Sequence, residues 1–304
     1  MDSSARGQDL LYVSNVENNY DSSVYAYSYP QGQLVGTLTG FISPFGECID
    51  AVGDVFIVDQ ANKSSGGTTI YEYAHGGTAP IATLSDPSTG LGCAIDPTTG
   101  SLAVSGSAVA IYAHASGKPT MYYWSESYFF YCGYDNKSNL YLTAPDQSSG
   151  GSEALLVRLS KSGAFDVLNV NTTLYYSSYP TTYPSVQWDG GHLIVSSAQY
   201  IRRKDPRPVY RLRIKGNDAI LEGTTNLATS KNLFSGETWI QRSAIIGAFA
   251  TKGLERWGLS SWQYPSGGSR HTIAEHGGAQ NLQAIVVSPA ARPAAVNVQS
   301  STAL

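Results

Sequence analysis

Two of the five histidines stand in a shared local setting that could position an imidazole for catalysis or for metal binding. His75 lies in "IYEYAHGGTAP" and His114 in "IYAHASGKP", each after a strand-like stretch and shortly before a glycine. The same point of other repeats holds different residue types, namely Gln31, Lys161, Lys215 and Ser266. Because a position that accepts such different side chains is a turn position, we expect both histidines to be structural.

The other histidines offer little metal chemistry. His192 lies in the turn "DGGHL", and His271 and His276 flank Glu275 in "RHTIAEHGGAQ". On a helix His271 and Glu275 would share a face, but the pattern here is that of a strand, in which residues four apart are too distant to chelate one ion. The sequence also lacks H-E-x-x-H, G-x-S-x-G and a phosphate-binding glycine loop, so no linear motif assigns catalytic residues.

The elements that carry these residues are repeated hairpins. Six segments read as an alternating strand, a glycine turn and a second alternating strand, which is typical of a β-hairpin. Their turn glycines are 40 to 53 residues apart, at Gly32, Gly77, Gly117, Gly163, Gly216 and Gly268. A second family of strand pairs lies between them, with turns that open on Asp50, Asp96, Asp135, Asp189 or Arg242. An aspartate at this point accepts a backbone hydrogen bond and nucleates the turn.

Alternation of the two families gives a unit of four antiparallel strands, A to D. This period predicts an all-β fold, a six-bladed β-propeller with four strands in each blade. The chain begins with a B-type strand, "LLYVSN", and ends with an A-type strand, "LQAIVVS". We expect the C-terminal strand to pair with the N-terminal strands, which removes exposed sheet edges. The predicted domain covers residues 9–288, between a disordered segment 1–8 and a flexible tail 289–304.

The two faces of such a propeller differ in content. One face, the turn face, contains the C–D turns and the A–B turns, which open on the aspartates named above. The other face, the loop face, contains the D–A and B–C loops. Aromatic residues with neighbouring hydroxyls and amides concentrate in the loops, a combination that suits sugars, aryl groups or protein partners. The alternative interpretation is that tyrosine packs between blades. The candidate ligand-binding residues are Glu47, Tyr128, Phe129, Tyr175, Tyr176, Tyr179, Tyr183 and Trp239.

Strand alternation also predicts the lining of the central channel. The second residues of the A strands are Glu47, Cys93, Cys132, Val186, Trp239 and Ile285. A lone carboxylate is a poor calcium site, because calcium takes six to eight oxygen ligands. Cys93 and Cys132 occupy matching positions in adjacent blades and are the predicted disulfide pair, with buried thiols as the open alternative. No C-x-x-C pair indicates zinc.

Composition limits the partners. The 304-residue chain has 19 lysines and arginines against 23 acidic residues, a net charge of -4, which gives no reason to propose nucleic acid. The densest basic run, residues 201–207, is expected to be a solvated loop. The sequence contains no apolar run of about 18 residues that would span a membrane, and its first residues do not form a signal peptide.

Several motifs are familiar as a set: "GECID", "YEYAHGG", "GCAIDPTTG", "FYCGYDNKSNLYL" and "SVQWDGGHLIV". They resemble bacterial secreted six-bladed propellers of the NHL-like and SMP-30-like superfamily, and most closely an uncharacterised group. The resemblance implies a secreted, periplasmic or cell-surface protein whose signal peptide is absent from this sequence. SMP-30-like lactonases hold a divalent metal with a Glu, two Asn and an Asp, of which only Glu47 has a counterpart here.

Three hypotheses follow from these observations. The first is an exported, non-enzymatic binding propeller that takes a small molecule, glycan or protein on the loop face. The second is a metal-assisted, lactonase-like hydrolase or lyase with a divalent cation such as calcium at the channel mouth. The third is self-association, since "AVNVQ" in the tail alternates in a way that could add a strand to a neighbouring sheet.

Overall fold

The computed structural model describes residues 1–17, 22–60, 67–125, 128–150, 152–178, 181–197, 207–228, 233–250, 256–277 and 281–290. Within these ranges the chain is built from β-strands, and single turns of 3-10 helix occur at Ala5–Gly7, Ala113–Ala115 and Gln147–Ser149. The prediction of an all-β protein is therefore confirmed. None of the helices in the described ranges is long and apolar enough to cross a membrane.

The strands follow the repeats of the sequence. The first are β1 (Leu10–Asn15), β2 (Ser22–Ser28), β3 (Leu34–Phe41), β4 (Pro44–Ile49), β5 (Val55–Gln60), β6 (Thr68–Tyr73) and β7 (Pro80–Asp86). Next come β8 (Gly90–Ile95), β9 (Leu102–Gly106), β10 (Val109–Tyr112), β11 (Thr120–Tyr122), β12 (Cys132–Tyr134), β13 (Leu140–Pro145), β14 (Glu153–Leu159) and β15 (Phe165–Val167). Four short strands are β16 (Asn169–Val170), β17 (Leu174–Tyr175), β18 (Ser177–Ser178) and β19 (Thr181–Thr182). The last are β20 (Val186–Trp188), β21 (Leu193–Ser196), β22 (Arg207–Lys215), β23 (Asp218–Leu227), β24 (Leu233–Gln241), β25 (Ala244–Ala250), β26 (Arg256–Gln263), β27 (Gly267–Gly277) and β28 (Leu282–Ser288).

Consecutive strands pair in antiparallel runs. Four sheets have the orders β28-β1-β2-β3, β4-β5-β6-β7, β8-β9-β10-β11 and β12-β13-β14-β15, the last with β17 beside β14. The longest sheet has the order β20-β21-β22-β23-β27-β26-β25-β24, in which the runs on either side meet through the single parallel pair Leu227–Gly268. β16 adds to this sheet beside β23, and β18 and β19 form a separate hairpin.

The two ends of the chain close the fold as predicted. β28 pairs antiparallel with β1, from Leu10 opposite Ser288 to Asn15 opposite Leu282. The segment 1–8 differs from the expected disordered end, because Ala5 is fully buried and Met1 packs against the same apolar cluster. The predicted tail lies outside the described residues from 291 onward.

The innermost strands of these runs stand side by side around an axis. β28 packs against β4, β4 against β8, β8 against β12 and β12 against β20, and β24 packs against β28. β20 and β24 are linked by the Gln187 side-chain amide, which donates to the Ile240 carbonyl oxygen at 3.1 Å and accepts from the Ile240 N–H at 2.7 Å. The ring of inner strands is therefore closed, and the fold is a β-propeller.

The turns between the first and second strands of the runs are held by aspartates, as predicted. The carboxylate of Asp50 accepts from the backbone N–H groups of Val52 and Asp54, at 3.0 and 2.9 Å. Asp96, Asp135 and Asp189 accept from the backbone in the same way. These turns mark the turn face and fix where each inner strand ends.

Glycines allow the inner strands to approach one another closely. A Cβ at Gly46 would lie 2.5 Å from the Leu91 carbonyl oxygen, and one at Gly133 would lie 2.6 Å from the Val186 carbonyl oxygen. Side chains at these two points would therefore push apart β4 and β8, or β12 and β20.

We expect Gly133→Ala to lower the free energy of unfolding by about 1–3 kcal/mol, because the added methyl overlaps a backbone atom of the next inner strand. Gly7→Ala is the matched control, since nothing lies within 4 Å of a Cβ there. Urea unfolding of both variants and the wild type checks the prediction. Equal unfolding midpoints for Gly133→Ala and the wild type would contradict it.

Candidate functional site: the propeller channel

Four aromatic side chains from the predicted loops form one cluster. The Phe130 ring is stacked on Tyr183 with centroids 4.2 Å apart, and Tyr176 and Tyr128 lie 5.0 and 5.4 Å from Phe130. Phe130 is fully buried, whereas Tyr128 is 39% exposed. Burial raises the pKa of the Tyr128 and Tyr183 hydroxyls. The rings thus pack largely against one another, and Tyr128 is the most exposed of the four, since Tyr176 and Tyr183 are partly buried.

The other loop candidates lie elsewhere. Phe129 is fully buried, with its ring centroid 5.2 Å from Trp124 and 5.1 Å from Phe165. These contacts put Phe129 in the core instead of on the loop face. Tyr175 is half-buried in β17, and Tyr179 lies outside the described residues.

Tyr131, which is not among the predicted site residues, spans the channel. It precedes β12, and its hydroxyl donates to the Gln283 carbonyl oxygen in β28 at 3.2 Å. Around the ring, β28 is three strands away from β12 in either direction, so the side chain crosses the axis. Gly92 makes room for it, since a Cβ there would lie 2.8 Å from Tyr131 Cδ1. The channel is obstructed by this tyrosine.

Glu47 and Glu237 are buried close to one another. Glu47 is 1% exposed and Glu237 is 5% exposed. Ser14 Oγ donates to Glu47 Oε1 at 2.6 Å, but within the described ranges neither Glu47 Oε2 nor Glu237 Oε2 has a hydrogen-bond partner. Burial raises the pKa of Glu47 to about 8. Burial, and then the charge of Glu47, raise the pKa of Glu237 well above its ordinary value.

A buried arginine belongs to the same region. Arg207 is 2% exposed at the start of β22, and its Nη2 donates to Ser196 Oγ at 3.2 Å. Burial lowers its pKa to about 10, so the guanidinium is charged at neutral pH. The prediction of a solvated basic loop is therefore wrong for Arg207, and residues 201–206 lie outside the described ranges.

A cavity of about 300 Å³ occupies the channel at the turn face. Pro97, Asn136 and Gly190 contribute to it from the turns between first and second strands. Its lining further includes the aromatic residues Tyr134, Trp188 and Trp239, the carboxylate of Glu237, and all three cysteines. The cavity lining therefore combines aromatic side chains with one buried acidic group. Of the predicted site residues, Trp239 lines this cavity, and Glu47 is buried close to Glu237 without lining it.

The disulfide corrects the predicted pairing. It joins Cys48 and Cys93, whose Cα atoms are 5.7 Å apart, and not Cys93 and Cys132. Cys132 is a buried free thiol, and burial raises its pKa to about 12. Cys48 is offset by one residue from the position that matches Cys93. The close approach of β4 and β8 at Gly46 brings these offset residues together, which alternation within single strands does not predict.

His75 and His114 lie in turns, as predicted. His75 Nδ1 lies 2.6 Å from Ser288 Oγ and its Nε2 lies 3.1 Å from the Gln8 carbonyl oxygen, so the ring ties its turn to the closing strand and to the N-terminal segment. Burial lowers the pKa of His75. His114 lies in a turn at φ 51°, and its Nδ1 is 3.0 Å from the Thr99 carbonyl oxygen.

One set of carboxylates on the turn face could hold a cation. Oxygens of Asp50, Asp54 and Glu72 lie within 4.8 Å of one another, and this is the only such group of three acidic, histidine or cysteine side chains in the part of the chain that the structure describes. Burial and neighbouring carboxylates raise the pKa of Asp54 and Glu72. Asp50 already holds its own turn, so the cluster has a structural role without an ion.

A lactonase-like metal centre does not fit the channel. Glu47 and Glu237 supply carboxylates, but Cys93 is in the disulfide and Val186 offers no ligand atom. Asp59, another acidic candidate, accepts from the backbone N–H groups of Ile42 and Ser43. Calcium needs six to eight oxygens, and the described channel residues do not provide them.

The sequence did contain a signal for the carboxylate pair. Glu237 follows Gly236 in "SGETW" as Glu47 follows Gly46 in "FGECI", and both pairs lie in inner strands. The match is only in the dipeptide, because Glu237 lies two residues further from its turn than Glu47 does, beside the register shift between Ser235 and Thr238. Tyr131 gave no comparable signal, because the direction of a single side chain across the channel is set by Gly92 in another strand.

Comparisons with known proteins support the fold. No protein-family model matches the chain, and no protein of curated function is detectably similar. A Bacteroides caccae protein of unknown function matches with a TM-score of 0.62 and 12% identity over 92% of this chain and 99% of its own. A Lactobacillus plantarum protein matches with a TM-score of 0.53 and 12% identity over the same shares. The calcium-binding protein regucalcin from Agrobacterium tumefaciens has a TM-score of 0.49 and 11% identity over 77% of this chain and 75% of its own, a likeness too distant to bear on a site.

Proposed function

We propose that this protein is an exported six-bladed β-propeller that binds a small organic molecule in the turn-face cavity of its channel. The main support for this proposal is the environment of Glu237. Its carboxylate is almost fully buried, has an oxygen without a hydrogen-bond partner among the described residues, and lines a cavity walled by Trp188 and Trp239. Burying an acidic group in this way is costly unless a partner compensates it. A concave site with aromatic walls and few polar groups is the usual form of a small-molecule site.

The blade count and the location rest on separate observations. The inner strands β28, β4, β8, β12, β20 and β24 each begin a run of four strands, which supports six blades. The Cys48–Cys93 disulfide supports export, because disulfides persist in oxidising compartments and are rare in the cytosol.

The proposed site differs from the loop face favoured by sequence. The rings of Tyr128, Phe130, Tyr176 and Tyr183 pack largely against one another, whereas the channel cavity is concave and contains a buried acid. Binding of a glycan or a protein on the loop face therefore stays a prediction. The metal-assisted hydrolase is disfavoured by the poor ligand set of the channel.

Filling the cavity tests the proposal. Ala94 lines the cavity and is 8% exposed. We expect Ala94→Leu to weaken binding of any cavity ligand at least tenfold, because the larger side chain occupies the space between the walls. Ala82→Leu is the control, since Ala82 lines a different cavity on the turn face.

The measurement is ligand-detected NMR with a mixed set of neutral, cationic and anionic ring compounds of fewer than about twelve heavy atoms, a size chosen for a pocket at the lower end of the usual volume range. Ring compounds that bind the wild type and Ala82→Leu but not Ala94→Leu support the proposal. If no compound loses affinity on Ala94→Leu, the channel is not a binding site.

A further inference from the structure

Within the described part of the chain the acidic pair of the channel forms no ion pair, and the buried Arg207 of the same region donates to Ser196 Oγ. None of the ion pairs found there includes Glu47 or Glu237. Each carboxylate keeps one oxygen without a hydrogen-bond partner, and Glu237 borders the cavity directly. A protein that buries two acidic groups side by side loses stability by doing so, and this loss is offset when a positive charge or hydrogen-bond donors meet them.

We propose that the ligand of this cavity is a small organic ammonium ion with a ring or branched apolar body. This inference rests on the proposed function. The N–H groups of the ammonium would donate to the carboxylate of Glu237, and the positive charge would stabilise the ionised form of this buried group. The body would lie between Trp188 and Trp239, whose faces attract cations as well as apolar groups.

The arrangement of charges limits the alternatives. A neutral sugar hydroxyl could fill the hydrogen-bonding capacity of Glu237 but would bring no charge to stabilise its ionised form. An anion would oppose the ionisation of either carboxylate. A metal ion would need further oxygen ligands, and in the described ranges neither glutamate belongs to a group of three ligating side chains. The volume of about 300 Å³ restricts the body to roughly one ring with a short arm.

The charge of the ligand can be tested with two probes of nearly equal shape. Benzylammonium and benzyl alcohol share the ring and the methylene and both donate a hydrogen bond, but only the former is charged. We expect benzylammonium to bind the wild-type protein at least tenfold more tightly than benzyl alcohol in isothermal titration calorimetry at neutral pH. Glu237→Gln should abolish this difference, whereas Glu222→Gln, on an exposed side chain of the turn face, should keep it.

The wild-type comparison needs no variant and remains decisive if Glu237→Gln does not fold. Equal affinity of the two probes would overturn the ammonium inference and leave the proposed function intact, since the cavity would then bind rings without regard to charge. Binding of benzylammonium that survives in Ala94→Leu would also overturn it, because the cation would then sit elsewhere. If neither probe binds the wild type, the ammonium inference is overturned, and the fragment set with Ala94→Leu decides the proposed function separately.

Discussion

The wild-type protein is expected to lose about 4 kcal/mol of unfolding free energy between pH 4.5 and pH 8 through Glu47 alone. The pKa of Glu47 is raised from 4.5 to about 8 by burial. Below the ordinary pKa both the folded and the unfolded protein hold this proton, so the group costs nothing. As the pH rises, the unfolded chain ionises first and is favoured by about 1.4 kcal/mol per pH unit until the folded-state pKa is reached.

Glu47→Gln isolates this contribution. The glutamine keeps an oxygen that accepts from Ser14 Oγ but cannot ionise. We expect the variant to match the wild type near pH 4.5 and to be several kcal/mol more stable at pH 8, with a shallower dependence on pH. Burial also raises the pKa of the neighbouring Glu237, so the variant keeps part of the dependence of stability on pH. Tyr12 and Tyr131, the other titratable neighbours, have raised pKa values and stay neutral in this range.

Urea unfolding at unit steps of pH measures the effect. Glu222→Gln is the control, because the pKa of Glu222 is lowered by its hydrogen bond from Arg213 and its carboxylate is exposed. The control should follow the wild-type slope above pH 5. A Glu47→Gln variant with the wild-type slope would show that Glu47 is ionised in the folded protein and that the burial argument is wrong.

Loss of the Cys48–Cys93 disulfide has an expected effect of similar size. The bond closes a loop with a sequence separation of 45 residues. On the chain-entropy model, a loop of this length stabilises the folded state by about 4 kcal/mol. We expect the double variant Cys48→Ser/Cys93→Ser to lose about this amount of unfolding free energy, and the wild type to lose the same amount when a reductant is added.

The variant Cys132→Ala distinguishes the effect of reducing the disulfide from any effect of the free thiol. Cys132 is buried and unbonded, so its variant should remain sensitive to reductant to the same extent as the wild type. A non-reducing peptide map should contain the Cys48–Cys93 link. A map with a Cys93–Cys132 link instead, or a Cys132→Ala variant that no longer responds to reductant, would contradict the assignment.

The sequence repeats predicted most of the fold. Aspartate turns and glycine hairpins are local signals, and each is reproduced where the sequence predicts it, from Asp50 to Asp189. The pairing of β1 with β28 followed from counting which strand type was missing at each end. These predictions succeeded because period, turn chemistry and alternation are properties of neighbouring residues.

Features that depend on the approach of separate strands were less predictable. The Cys48–Cys93 bond depends on how closely β4 and β8 approach at Gly46, and Tyr131 crosses the axis because Gly92 leaves space. Arg207 resembled a surface residue in a basic run, yet it is buried at the start of β22. For the same reason Phe129 joined the core with Trp124 and Phe165, although its neighbours in sequence are loop residues.

A crystal structure of the protein soaked with benzylammonium would show whether the channel cavity binds a small ligand against Glu237. We expect electron density for the ring between Trp188 and Trp239, with the nitrogen within hydrogen-bonding distance of Glu237. Density for benzylammonium at the aromatic cluster of Tyr128 and Tyr183, with an empty channel, would contradict it and return the loop face to first place.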